Sequence, residues 1–138
     1  MKISVIIPIY NASAFLKKAV KSALQFDEVT EILLIEDGST DHSLEICKKL
    51  AEEFGKVKVF QHADQGNHGA GASRNLGLEN VVGDFIAFLD ADDYYLPNRF
   101  EQEKNLFENP KIEGVFNAIG TEFLSEKGKL EFTEKFRE

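Results

Sequence analysis

The chain is short of cysteine, of long apolar runs and of positive charge, and each shortage closes off a class of protein. Its one cysteine, Cys47, cannot form an internal disulfide. It falls in the pattern Leu44, Ile46, Cys47, Leu50, where it reads as a small buried hydrophobe. The most apolar stretch, Ile3 to Ile9, stops far short of the about 20 residues that span a membrane. It is also too short for the apolar region of a secretory signal, so the chain reads as cytoplasmic. Acidic residues outnumber basic ones, 24 to 16, and the net charge of -8 disfavours nucleic acid as a partner. Small anions stay admissible where a metal or a helix end receives them. Repeats, low-complexity tracts and interdomain linkers are also lacking. What is there, 43% hydrophobic residues and 12 Phe in 138 positions, suits a globular protein with a real core.

Apolar and polar patterning then sets out the elements. Ile3 to Ile9, rich in β-branched residues, predicts a central strand, with Asn11 to Ser13 capping a helix over about 14 to 25 whose apolar stripe is Phe15, Leu16, Ala19, Val20, Ala23 and Leu24. Thr30 to Ile35 predicts a second strand, followed by a helix from Ser43 to Phe54 that Gly55 closes. A third strand at Val57 to Gln61 leads into a glycine-rich loop, 64 to 77, which passes into a helix near Gly71 to Glu79. Phe85 to Leu89 is the fourth strand, and Pro97 to Phe107 a further helix with Phe100, Leu106 and Phe107 inward. Gly114 to Phe123 and Leu130 to Phe132 read as two strands around a Glu126 to Gly128 turn. Strands alternating with helices imply a three-layer α/β/α domain with a mainly parallel sheet, whose ligands bind at the carboxyl ends of its strands. The expected division is an α/β domain over 1 to 110 and a hairpin-bearing region over 111 to 138.

The polar signals gather at those strand ends. Strand four runs from apolar residues straight into Asp90, Asp92 and Asp93. Carboxylates this close repel one another, and a hard divalent cation, Mg²⁺ or Mn²⁺, is the usual compensation. The plainer alternative is that Asp92 and Asp93 cap the next helix. Asp37, in Asp37-Gly38-Ser39, either makes an ordinary turn or accepts hydrogen bonds from an imide N–H or a ribose hydroxyl. The glycine loop matches neither the Walker nor the GxGxxG spacing, because Arg74 stands where the third glycine belongs. Arg74 is placed to pair with phosphate, or with Asp37 or Asp92. His62 and His68 flank the loop and read as loop residues, not metal ligands.

Together, VIIPIYN at Val5 to Asn11, IEDGSTD at Ile35 to Asp41, GASRNLG at Gly71 to Gly77 and FLDADDYYLP at Phe88 to Pro97 resemble the inverting, family-two glycosyltransferases of GT-A fold. The resemblance covers residues up to about Pro97 and little beyond. It implies a nucleotide-sugar-binding domain in which Pro8, Tyr10 and Asn11 wrap the base and ribose. Glu36, standing where many relatives have Asp, and Asp37 then contact the base or ribose, and Arg74 and Asn75 shape the pocket floor. Asp90, Ala91 and Asp92 stand as the DxD motif, Asp92 on the metal and Asp90 near the ribose. The implied partners are a nucleotide-sugar donor, with UDP favoured, and a saccharide or lipid-linked acceptor hydroxyl. Nothing around Glu113, Glu122 or Glu126 matches the family's base motif, so the general base is unassigned.

The expectation is therefore the donor-binding part of a longer enzyme, working at the cytoplasmic side of a membrane. Dimerisation is left open, with an edge at strand 114 to 123. Three other readings compete: a non-catalytic nucleotide-sugar-binding module, a nucleotidyltransferase, and a phosphoacceptor receiver. A receiver needs acids after strands one and three and a lysine after the last, which this chain lacks.

Overall fold

The structure is a computed structural model that describes residues 1–117 and 119–135. It divides into two units, Met1–Lys104 and Asn105–Glu138, so the division falls somewhat before the expected 110. In the first unit the elements alternate as β1 (Ile3–Ile9), α1 (Leu16–Leu24), β2 (Val29–Glu36), α2 (Ser43–Glu53), β3 (Val57–Gln61), α3 (Ala70–Asn80) and β4 (Phe85–Phe88). The strands form one parallel sheet in the order β3-β2-β1-β4.

The side-chain alternation of β1 explains the layering. Ile3, Val5, Ile7 and Ile9 pack on one face with Leu16, Ala19, Val20 and Ala23 of α1 and with Cys47 and Leu50 of α2. Ile6 points the other way, beside Leu33 and Ile35 of β2, and Leu76 of α3 closes over them. The expected three layers are thus present, with α1 and α2 on one face and α3 on the other. Cys47 is fully buried as anticipated, and burial first, then the charge of Glu36, pushes its thiol up to about 12. Gly77 lets α3 lie directly on β1, for a Cβ there would sit 2.6 Å from Ile6 Cγ2.

At the amino end of the sheet a buried charge is fully partnered. Glu31 accepts from Ser4 Oγ at 2.6 Å, Lys58 Nζ at 2.7 Å and the Val82 amide at 2.7 Å. Burial alone would raise this carboxyl, but bonds from Lys58, Ser4 and Val82 hold it below its usual range. The site chemistry is left to the opposite, carboxyl end.

Several expected boundaries shift. Asn11 to Ser13 do not cap α1, whose first residues follow a turn in which the Phe15 and Leu16 amides both bond to Ala12 O. Between Pro97 and Phe107 the chain makes successive i to i+3 turns, and of the expected helix only α4 (Glu103–Leu106) forms, so Asp92 and Asp93 cap no helix here. Phe100 does reach the core, stacked edge-on to Phe26 at 4.9 Å and Tyr95 at 5.5 Å, whereas Leu106 is exposed.

In the second unit the expected hairpin is absent among the described residues. Ala118, inside the expected strand 114 to 123, lies outside the described residues, and its described neighbours carry no regular structure. Leu130 to Phe132 instead belong to α5 (Glu126–Lys135). Ser125 explains the change, since its Oγ accepts the Gly128 amide at 3.1 Å as a helix cap does. Gly128, read as a turn residue, therefore sits in a capped first turn, from which Lys127 pairs at helical spacing with Glu131. None of the described helices is long and apolar enough to cross a membrane.

Candidate functional site

A cleft of about 320 Å³ opens at the carboxyl ends of β1, β2 and β4. Its walls come from Pro8 to Ala12 and Phe15 after β1, Asp37 after β2, Ala70 and Arg74 of α3, and Asp90, Ala91 and Asp92 after β4. Four segments far apart in sequence thus meet, because parallel strands with helical crossovers deliver their carboxyl ends to one edge.

The first wall is held by backbone and side-chain bonds to the loop after β2. Asn11 takes a positive φ of 49°, and its Oδ1 accepts the Thr40 amide at 2.8 Å. Its own amide donates to Ser39 Oγ at 3.0 Å, and the Ala12 amide donates to Ser43 Oγ at 2.9 Å. The Ser13 and Ser43 amides both donate to Asp41, whose carboxyl is lowered to about 2, chiefly by its bond with the Ser43 side chain. Within this fixed frame Tyr10 and Phe15 stay exposed, 51% and 38%, and give the cleft an aromatic side. Phe15 was expected on the buried stripe of α1. It precedes that helix and lines the cleft instead.

Asp37 forms the back of the cleft and is almost wholly buried. Its Oδ1 accepts the His68 amide at 2.7 Å and lies 3.3 Å from His62 Nε2. Its Oδ2 accepts the Gly69 amide at 2.9 Å and Asn67 Nδ2 at 3.1 Å. The carboxylate therefore organises the glycine loop as well as facing the cleft. Gly38 is needed beside it. With φ at 73°, a Cβ there would meet the Asn67 amide nitrogen at 2.7 Å.

Glu36 is a correction. Expected among the ligand contacts, it is 2% exposed and does not line the cleft. Its carboxylate braces the following turn through the Ser39 amide at 2.6 Å and the Gly38 amide at 3.3 Å, and takes Gln61 Nε2 at 3.2 Å. Side chains alternate along a strand, so adjacent acids at the end of β2 diverge. Asn75 also stays outside. It is exposed on α3, while Arg74, one position earlier, turns inward.

On the acidic side, Arg74 Nη2 donates to Asp90 Oδ1 at 2.7 Å. Arg74 was expected to pair with phosphate, Asp37 or Asp92, and its carboxylate partner is instead Asp90. Asp92 is exposed on the cleft wall, and the Asp93 amide closes a turn on Asp90 O at 3.0 Å. Partial burial, then the charges of Asp92 and Asp90, raise the carboxyl of Asp93. Among the described residues no three His, Cys, Asp or Glu side chains come together as a metal cage. The expected cluster of three is therefore a pair on the cleft, Asp90 and Asp92, with Asp93 outside its lining. Two carboxylates still suit Mg²⁺ or Mn²⁺, which commonly take one or two protein oxygens and fill their other positions from phosphate and water.

His62 lies in the loop after β3, as read, but its ring packs inward. It is 13% exposed, close to Asp37 and 3.1 Å from Ser73 Oγ of α3. The available signal was an acid ending the neighbouring strand, at the same sheet edge.

A three-layer domain with aromatic, acidic and guanidinium groups at the carboxyl edge of a parallel sheet is of GT-A type. The chain belongs to glycosyltransferase family 2, whose model matches residues 4–132. An uncharacterised glycosyltransferase of Haemophilus influenzae is 41% identical over 104 residues, covering 75% of this chain and 41% of that protein. S. aureus TarS 1-349 in complex with UDP-GlcNAc superposes with a TM-score of 0.68 at 29% identity, over 89% of this chain and 37% of that one. GalNAc-T7, crystallised with UDP, GalNAc and Mn²⁺, gives a TM-score of 0.58 at 26% identity, covering 65% of this chain and 17% of that chain. The chain therefore spans well under half the length of these relatives.

Proposed function

We propose that the chain is the donor-binding part of an inverting glycosyltransferase that holds a nucleotide-diphospho-sugar, with UDP as the nucleotide, in the cleft described above. The carrying observation is the placement of Arg74, Asp90 and Asp92 across from Tyr10 and Phe15 at one sheet edge. A base and ribose suit the aromatic side and the fixed loop Pro8 to Ala12, where stacking and backbone groups are offered. Asp37, oriented by the glycine loop, presents its remaining acceptor capacity to the base or ribose. The diphosphate then lies toward Arg74, whose guanidinium matches phosphate oxygens in pairs.

Asp92 would hold Mg²⁺ or Mn²⁺, with Asp90 beside the ribose. When bound, that cation supplies charge to neutralise the departing nucleoside diphosphate. The chain's own contribution is to fix the leaving group against Arg74, whose ion pair with Asp90 holds the guanidinium at the cleft until phosphate replaces the carboxylate. UDP binding in TarS and Mn²⁺ in GalNAc-T7 support the choice of nucleotide and metal. The acceptor, a saccharide or lipid-linked hydroxyl, and the general base belong to the remainder of the longer protein.

Calorimetry with UDP-sugars in Mn²⁺, followed by an acceptor assay, tests this reading. Metal-dependent binding without turnover is expected of the 138-residue chain, and turnover at ordinary enzyme rates would overturn its role as donor part alone.

A further inference from the structure

We propose that His62 is a positioning residue of the donor cleft, acting through Asp37 and the first turns of α3. It follows the last residue of β3, where no cleft wall is built, and its ring is largely buried. One ring nitrogen, Nε2, lies 3.3 Å from Asp37 Oδ1 and 3.1 Å from Ser73 Oγ. Asp37 is itself a cleft wall, and Ser73 precedes Arg74, which is another. The imidazole thus ties the end of β2 to the helix that carries the phosphate-facing guanidinium. The His68 ring packs against it at 4.3 Å, tilted by 39°, and is itself anchored by Asp64 at 2.7 Å.

The effect on binding follows from how Asp37 is held. A carboxylate has about four acceptor positions, three of them filled here by donors from the segment 67 to 69. The His62 ring, 3.3 Å from Oδ1, is the contact that comes from a strand end. Without it the carboxylate and the loop can shift together, and Arg74 loses its brace through Ser73. A wall misplaced by a fraction of an ångström weakens a preorganised polar site far more than it weakens the fold.

The role rests on the donor-cleft reading, and the experiment separates the two. UDP is titrated calorimetrically in Mn²⁺ into the unaltered chain, His62→Ala, His62→Gln and Ser73→Ala, with the melting temperature of each recorded. Loosening of the Asp37 wall, with loss of the bond to Ser73, predicts that His62→Ala weakens UDP binding about tenfold. His62→Gln, whose amide nitrogen reaches the place of Nε2, restores affinity to within about twofold of the unaltered chain. A merely structural histidine would not respond in that way. Equal affinity in His62→Ala overturns the role, and so does His62→Gln binding as weakly as His62→Ala. If His62→Ala does not fold, Ser73→Ala decides: a severalfold loss supports the brace and unchanged affinity refutes it. Failure of the unaltered chain to bind UDP overturns the donor-cleft reading and this role with it, before any variant is compared.

Discussion

Replacing Arg74 by alanine should move metal affinity and nucleotide affinity in opposite directions. The Arg74 to Asp90 pair spans 2.7 Å, with side chains 36% and 55% exposed, so in the empty cleft it is worth about 0–1 kcal/mol. Its loss leaves the fold intact. It also leaves Asp90 and Asp92 with uncompensated negative charge, and Mn²⁺ alone should bind up to about fivefold more tightly. A guanidinium bond to phosphate is worth about 1.5–3 kcal/mol. Releasing Asp90 to make it costs up to about 1 kcal/mol, and at that full cost the net is about 0.5–2 kcal/mol, or about 2- to 30-fold in the Kd for UDP. Arg74→Lys, which keeps the charge without the fork, should fall between. Calorimetry with Mn²⁺ alone, and with UDP at saturating Mn²⁺, reads both quantities. Parallel loss of both, or UDP binding unchanged in Arg74→Ala, would refute the reasoning.

Two further predictions concern the frame around the cleft. Gly77→Ala should lower the melting temperature by several degrees. Helix propensity alone would favour alanine by about 1 kcal/mol, but its Cβ would lie 2.6 Å from fully buried Ile6, and such overpacking costs about 1–3 kcal/mol. A higher melting temperature would mean that α3 does not rest on β1 as described. Asp41, with its carboxyl lowered from 3.8 to about 2, contributes stability that is fully present above about pH 4 and lost as pH falls through about 2. Asp41→Asn should therefore melt with a shallower acid limb than the unaltered chain between those values, and identical limbs would refute the assignment.

Much of this architecture was legible because burial leaves a periodic mark. The β-branched run Ile3 to Ile9 and the stripe Leu16, Ala19, Val20, Ala23 announced a buried strand and its helix, and their packing followed. The cleft residues were legible for a different reason. Parallel strands bring their carboxyl ends together, so Tyr10, Asp37 and Asp92 could be placed at one edge without knowing any distance. What the sequence left open was direction. Glu36 and Asp37 are equally acidic in a string of letters, and only the strand's alternation sends one to the turn and the other to the cleft. Three nearby aspartates suggested a cage, but Arg74, distant in sequence, occupies Asp90. The region after residue 97 misled because Gly128 looks like a turn residue until Ser125 is seen capping a helix there.

Donor binding in this cleft depends most directly on a divalent cation joining a diphosphate to Asp92. UDP titrated into the unaltered chain and into Asp92→Asn, each with Mn²⁺ and with EDTA, tests that link in one series. Binding is expected only with Mn²⁺, and Asp92→Asn should abolish it while the circular dichroism spectrum stays unchanged. Equal binding in EDTA, or full Mn²⁺-dependent binding by Asp92→Asn, would contradict it.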